Sequence, residues 1–357
     1  MKHNFLDSDN RKKMEPETLS LLTMHRSVAY EGVHPTSADI DELAETAEIT
    51  DDAMSVQVLE YCDEIRTKIQ SEQVRWQSFA QDPKGLKNMQ DIFVAQQLLP
   101  EHFGGAITTF GSARTREGDP RYEAVRWLNK TLVQELMQDD GTMECAHSGA
   151  GPGIMEAANK GAMEGRIERI RQLKEQAQLG DGIAKIQLDT VARSTHSMGI
   201  RIDLPFEQTF NPFLQLNLTL QSFFARKLAL LAPTIGRTTQ DNGDDTHMKR
   251  HKRHPAIFVA PGGFGTLDEM WEAATLLQCR KMKSLPIIVL GAEMRAVIKE
   301  LLSMMLKLET ISPKDVDFFV MKDECSEIDA LYAYLEYYGI PETEGIRSAV
   351  SRHKRLL

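Results

Sequence analysis

The chain has 357 residues, a formal net charge of -10 and four cysteines. Its length exceeds the roughly 100–200 residues of a usual domain, so two units or one enlarged α/β domain are expected. The acidic balance excludes a general nucleic-acid binder, which needs a basic surface to displace counterions, and the widely spaced Cys62, Cys145, Cys279 and Cys325 exclude a CxxC-based zinc or disulfide framework.

The first residues turn polar at Asp7 before any apolar stretch builds. No run of about 18 apolar residues follows. A soluble, cytoplasmic protein without membrane contact is expected. Residues 1–100 carry helical spacing, as in Val58, Leu59, Cys62, Ile65 and Ile69 with acidic residues between, and read as a helical N-terminal domain for oligomerisation or regulation. From about residue 104 the texture becomes strand, turn and helix in alternation. Strands are predicted at 106–110, 143–146, 197–204, 256–260, 286–290 and 318–321, with helices near 121–138 and after Gly153. This βαβ rhythm over 101–340 predicts an α/β, Rossmann-like, mostly parallel sheet with helices on both faces and ligands at the strands' carboxyl ends. Two stretches read as insertions: a charged, helix-prone piece at 164–195 and a polar segment at 238–254 that ends in a basic run. Residues 341–357 read as a basic C-terminal tail, whose Arg352-His353-Lys354-Arg355 run is either solvated or covers a neighbouring subunit.

Four segments carry chemistry. In Pro261-Gly262-Gly263-Phe264-Gly265-Thr266-Leu267-Asp268-Glu269, a buried-type strand runs into a glycine turn. The glycines let backbone amides approach an anion, and a helix opening near Thr266 directs its positive end at the same spot. Thr266 and Glu269 also fit a capping box, the structural alternative. Gly111-Ser112 follows a strand directly, as a nucleotide-contacting loop would. Gly149, Gly151 and Gly153 precede another helix, but Ile154 stands where the dinucleotide fingerprint needs its third glycine, which disfavours a redox dinucleotide. Arg226-Lys227 places adjacent cations in an apolar helix, either as a snorkelling pair or as partners of a phosphate or of Glu269.

Together these residues resemble the LOG family, phosphoribohydrolases often mislabelled as lysine decarboxylases. Its PGGxGTxxE hallmark is similar to residues 261–269 and its Arg-Lys pair to Arg226-Lys227, and residues 149–159 are close to the GGGPGIMEAAN form of bacterial members. Leu204-Pro205-Phe206-Glu207-Gln208 is similar to a further family segment. The resemblance spans about 104–340.

The resemblance implies hydrolysis of the N-glycosidic bond of a nucleoside 5′-monophosphate, giving free base and ribose 5-phosphate, in a homo-oligomer. It assigns catalysis to Arg226 and Glu269. It assigns substrate contacts to Glu207, Lys227, Gly262, Gly263, Gly265, Thr266 and Thr275, and the glycine loops themselves add Gly111, Ser112, Gly149, Gly151 and Gly153 as expected substrate contacts. No metal or cofactor is called for. The longer architecture resembles bacterial nucleotide nucleosidases. A cytokinin riboside monophosphate substrate and a non-catalytic nucleotide or cofactor carrier are the alternatives.

Overall fold

A computed structural model of the protein describes residues 29–31, 91–92, 95, 99, 105–139, 141–202, 210–220, 223–235, 253–322 and 324–355. Most of the expected N-terminal domain, the 204–208 segment with Glu207, and most of the 238–254 stretch lie outside the described residues.

The elements run β1 (Ala29–Glu31), β2 (Ile107–Phe110), α1 (Pro120–Glu135), β3 (Ala146–Ser148), α2 (Ile154–Gln178), α3 (Gly182–Arg193), β4 (Ser197–Ile202) and β5 (Leu216–Leu220). They continue with α4 (Phe223–Ile235), β6 (Ala256–Val259), α5 (Phe264–Gln278), β7 (Ile287–Val289), α6 (Ala292–Lys307), β8 (Phe319–Val320), α7 (Glu327–Tyr338) and α8 (Glu344–His353). The strands form one sheet in the order β1-β5-β4-β3-β2-β6-β7-β8, and every pairing is parallel. The fold is therefore α/β and Rossmann-like, with helices on both faces. Among the described residues no helix is long and apolar enough to cross a membrane.

Both faces of β6 and β7 are covered, so these strands are apolar on both sides rather than alternating with polar residues. In β6, Ile257 and Val259 pack with α4, α5 and α6 through Ala229, Met270 and Ile298. Ala256 and Phe258 face the other way, toward α1, α7 and α8 through Leu128, Tyr334 and Ile346. α1 and α2 pack backbone to backbone. A Cβ on Gly161 would lie 2.1 Å from the Arg126 carbonyl oxygen, and one on Gly165 would lie 2.4 Å from that of Lys130. These two glycines, one turn apart, bring the backbones together.

Topology fixes where a ligand can sit. From β2 the chain winds outward through β3, β4 and β5, then returns to β6 on β2's other side and winds through β7 and β8. The winding reverses at β2 and β6. In doubly wound sheets the crevice at such a reversal, beyond the carboxyl ends of the strands, receives the ligand.

Several elements differ from the sequence reading. The second strand of the series forms at 146–148 rather than 143–146, with Met143 making only an isolated antiparallel bridge to Met137. His147 and Ser148, polar enough to read as loop, are fully buried strand residues. β5 was not anticipated, although Leu216, Leu218 and Leu220 alternate with polar residues, and neither was the edge strand β1. The helix-prone 164–195 piece is the distal part of α2 together with α3, and it packs on the fold through the buried Ile167, Ile170, Leu173, Ala184 and Val191. The C-terminal stretch contains α8, whose Ile346 and Val350 enter the core. His353 stacks on Trp127 with ring centroids 4.2 Å apart and lies 2.6 Å from Glu327, while Arg352, Lys354 and Arg355 are exposed.

Candidate active site

Three loops meet at the carboxyl ends of β2, β3 and β6, and Ser112 ties them together. Its amide donates to the Pro261 carbonyl oxygen at 3.1 Å, and its own carbonyl oxygen accepts from the Ile154 amide at 3.0 Å. The N-termini of α2 and α5 are thereby brought to one locus. Gly111 and Gly153 are glycines for close-approach reasons. A Cβ on Gly111 would lie 2.3 Å from Ile154 Cγ2, and one on Gly153, at φ 72°, would lie 2.4 Å from the Ser112 carbonyl oxygen.

α5 starts at Phe264, two residues earlier than the sequence reading, with Gly263 as its N-cap and no side-chain cap. The helix's first internal bond runs from the Leu267 amide to the Gly263 carbonyl. The amides of Phe264, Gly265 and Thr266 therefore have no acceptor within the helix and point with its dipole at whatever lies in front. Thr266 is the third helical residue and forms no capping box with Glu269.

The three glycines of the motif divide their roles. A Cβ on Gly263 or Gly265 would meet nothing within 4 Å, so both face open space. A Cβ on Gly262 would lie 2.1 Å from Thr266 Oγ1, so this glycine makes room for the buried threonine that shapes the turn. Gly262→Ala is expected to destabilise the protein by roughly 1–3 kcal/mol through overpacking. Gly265→Ala is expected to be neutral or slightly stabilising, since alanine favours a helix. Parallel denaturant titrations check both; equal stabilities would contradict the division.

One turn past Thr266, Glu269 projects from α5 and is only 4% exposed. α4 and α5 pack on the same face of the sheet, which brings Arg226 Nη1 to 3.1 Å from Glu269 Oε1. The cation pair is thus not a snorkelling pair. Arg226 meets Glu269, and Lys227 meets Asp268 at 2.8 Å and Glu272 at 3.3 Å. Glu269 Oε2 accepts no hydrogen bond among the described residues. Burial pushes the Glu269 carboxyl up to about 7, against the opposing pull of Arg226. A carboxyl poised near neutrality and next to a guanidinium is suited to proton transfer or to stabilising developing positive charge. Hydrogen bonds to Asp268 and Glu272 push the Lys227 ammonium above its ordinary value.

Gly149 also reaches this pair, because a Cβ there would lie 2.7 Å from Met155 Sδ and 3.0 Å from Arg226 Nη2. Gly151 backs onto the same methionine. Thr275 is not brought to the cradle: it is exposed, its hydroxyl donates to the Trp271 carbonyl at 2.8 Å, and it lies more than two turns down α5 from Thr266. The sequence reading missed a buried polar cluster of Ser148, Asn159, Ser197 and Asn211 beneath the 149–153 turn. An asparagine inside the alanine-rich start of α2 was the available signal.

Residues 245–331 match the model of a family described as possible lysine decarboxylase. That segment holds β6, the 261–269 turn, α5, β7, α6 and β8, and it supports the LOG-family resemblance. No match is found among curated proteins.

Proposed function

We propose that the protein hydrolyses the N-glycosidic bond of nucleoside 5′-monophosphates, AMP or another purine or pyrimidine monophosphate, as a homo-oligomer. The observation that carries this reading is Glu269, buried and paired with Arg226 one turn behind the amides of residues 264–266. The 5′-phosphate rests on those amides at the α5 N-terminus, in the open space beside Gly263 and Gly265. That grip sets C1′ of the ribose against Glu269. The bond from C1′ to the base nitrogen breaks with its electron pair leaving on the base, through an oxocarbenium-like state that a carboxylate stabilises. Water adds to C1′ and loses a proton to Glu269, which passes it to the departing base. The products are free base and ribose 5-phosphate. Arg226 fixes the orientation of Glu269 and its ionisation.

Amino-acid decarboxylation through pyridoxal phosphate fits these residues poorly. A Schiff base needs a neutral amine, and the carboxylates of Asp268 and Glu272 hold Lys227 protonated. A non-catalytic carrier would use the amide cradle but would have no need of a buried carboxyl poised near neutrality.

Dependence on the phosphate checks the reading. AMP is expected to be turned over with kcat/KM at least ~100-fold above adenosine, because binding energy at the phosphate is what positions C1′. Equal values for the two would remove the cradle from the mechanism.

A further inference from the structure

We propose that Asn159 is a positioning residue for this site: its buried carboxamide clamps the turn at residues 149–153 in a left-handed bend at Ala150 and thereby fixes Arg226 against Glu269. The proposal rests on the functional reading above for its kinetic consequences, though not for its geometry.

Asn159 is fully buried in α2, and its side chain is saturated. Oδ1 accepts from Ser148 Oγ at 2.6 Å and from Asn211 Nδ2 at 3.1 Å, while Nδ2 donates to Ser197 Oγ at 2.9 Å and to the Met198 carbonyl oxygen at 3.1 Å. An amide side chain has this full capacity only when four partners converge on it. The partners reach directly into the turn. Ser148 Oγ, while donating to Asn159, accepts from the Ala150 amide at 3.0 Å. Asn211 donates its backbone amide to the Ala150 carbonyl oxygen at 2.9 Å and its Nδ2 to the Gly151 carbonyl oxygen at 3.2 Å. Both backbone groups of Ala150 are thus held by residues that Asn159 itself holds.

The clamp has something to oppose. Ala150 sits at φ 63°, a conformation that residues with a Cβ rarely adopt. Its methyl is accommodated because Gly199 has none: a Cβ on Gly199 would lie 2.7 Å from that of Ala150. The bend turns the chain so that the bare Cα of Gly149 backs onto Arg226, with only 3.0 Å between a Cβ there and Arg226 Nη2. A relaxed turn would bring the chain into the guanidinium or withdraw its support. A displacement of about 1 Å at a reacting group costs on the order of 100-fold in rate.

Asn159→Ala and Ser148→Ala proteins test this by steady-state cleavage of AMP across pH and by carboxyl-carbon NMR titration of Glu269. The proposal expects kcat to fall about 10- to 100-fold with KM nearly unchanged, since the α5 amides are untouched. It expects the Glu269 midpoint to rise as Arg226 recedes, with Lys227, Asp268 and Glu272 left in place. Adding Ala150→Gly to Asn159→Ala should restore activity several-fold, because glycine holds the left-handed bend without a clamp. A residue with only a structural role would lower the melting temperature and move neither kcat per folded molecule nor the midpoint. Should Asn159→Ala fail to fold, Ser148→Ala carries both readouts. Wild-type kcat and an unmoved Glu269 midpoint in the folded variants would overturn the proposal. Absence of base release from the wild-type protein would reject the functional reading, and the NMR midpoint would then still decide for or against the clamp.

Discussion

Glu269→Gln is expected to lower kcat roughly 100- to 10,000-fold, the range supplied by a positioned acid–base group, while making the folded protein more stable above pH 7. The two effects share one cause. Burial raises the carboxyl from its ordinary 4.5 to about 7, so between those values the folded protein holds a proton that the unfolded chain has released. The stability contributed by that proton is fully present below pH 4.5 and is lost as pH rises through about 7. At about 1.4 kcal/mol per pKa unit, the loss totals roughly 3 kcal/mol. Glutamine keeps the shape of the neutral acid and never ionises. Its stability curve should therefore be flatter between pH 5 and 8, and urea titrations at the two pH values check it. A variant as active as the parent would remove Glu269 from the chemistry.

Arg226→Ala is expected to lose activity on a similar scale, with the kinetic pKa of Glu269 moving above 7. Arg226 is the largest influence opposing burial at that carboxyl. Without it the carboxylate is harder to form, and the pH–rate profile shifts to the alkaline side. Removing one partner of a buried ion pair commonly costs 3–5 kcal/mol, but a carboxyl free to take up a proton escapes much of that cost. The destabilisation should accordingly be larger at pH 8.5 than at pH 6. Equal losses at both pH values would mean that the guanidinium acts chiefly by packing.

The parts of the fold carried by local pattern were legible. Strands such as 256–260 are short apolar runs beside glycine turns, and a mostly parallel sheet follows from their alternation with helices. The glycine turn that opens α5 was legible for the same reason, because glycine before a helix has a local physical meaning. Pairing across 43 residues was legible only as one of two alternatives. Arg226 and Lys227 are neighbours, and only the packing of α4 beside α5 sends one to Glu269 and the other to Asp268. Ser148 and Asn159 were misread or overlooked because polarity indicates exposure only when its hydrogen bonds are unmet, and theirs are met inside the protein. The division among Gly262, Gly263 and Gly265 also lay beyond the sequence, since it depends on where Thr266 packs.

Product identity tests the central claim most directly. Purified protein incubated with AMP, and in parallel with pyrimidine and isopentenyladenine monophosphates, is separated by chromatography and assayed for free base and ribose 5-phosphate. At least one monophosphate should yield base and sugar phosphate in equal amounts, and the Glu269→Gln protein should yield almost none. Recovery of every monophosphate intact, even from a protein that binds them, would contradict the account.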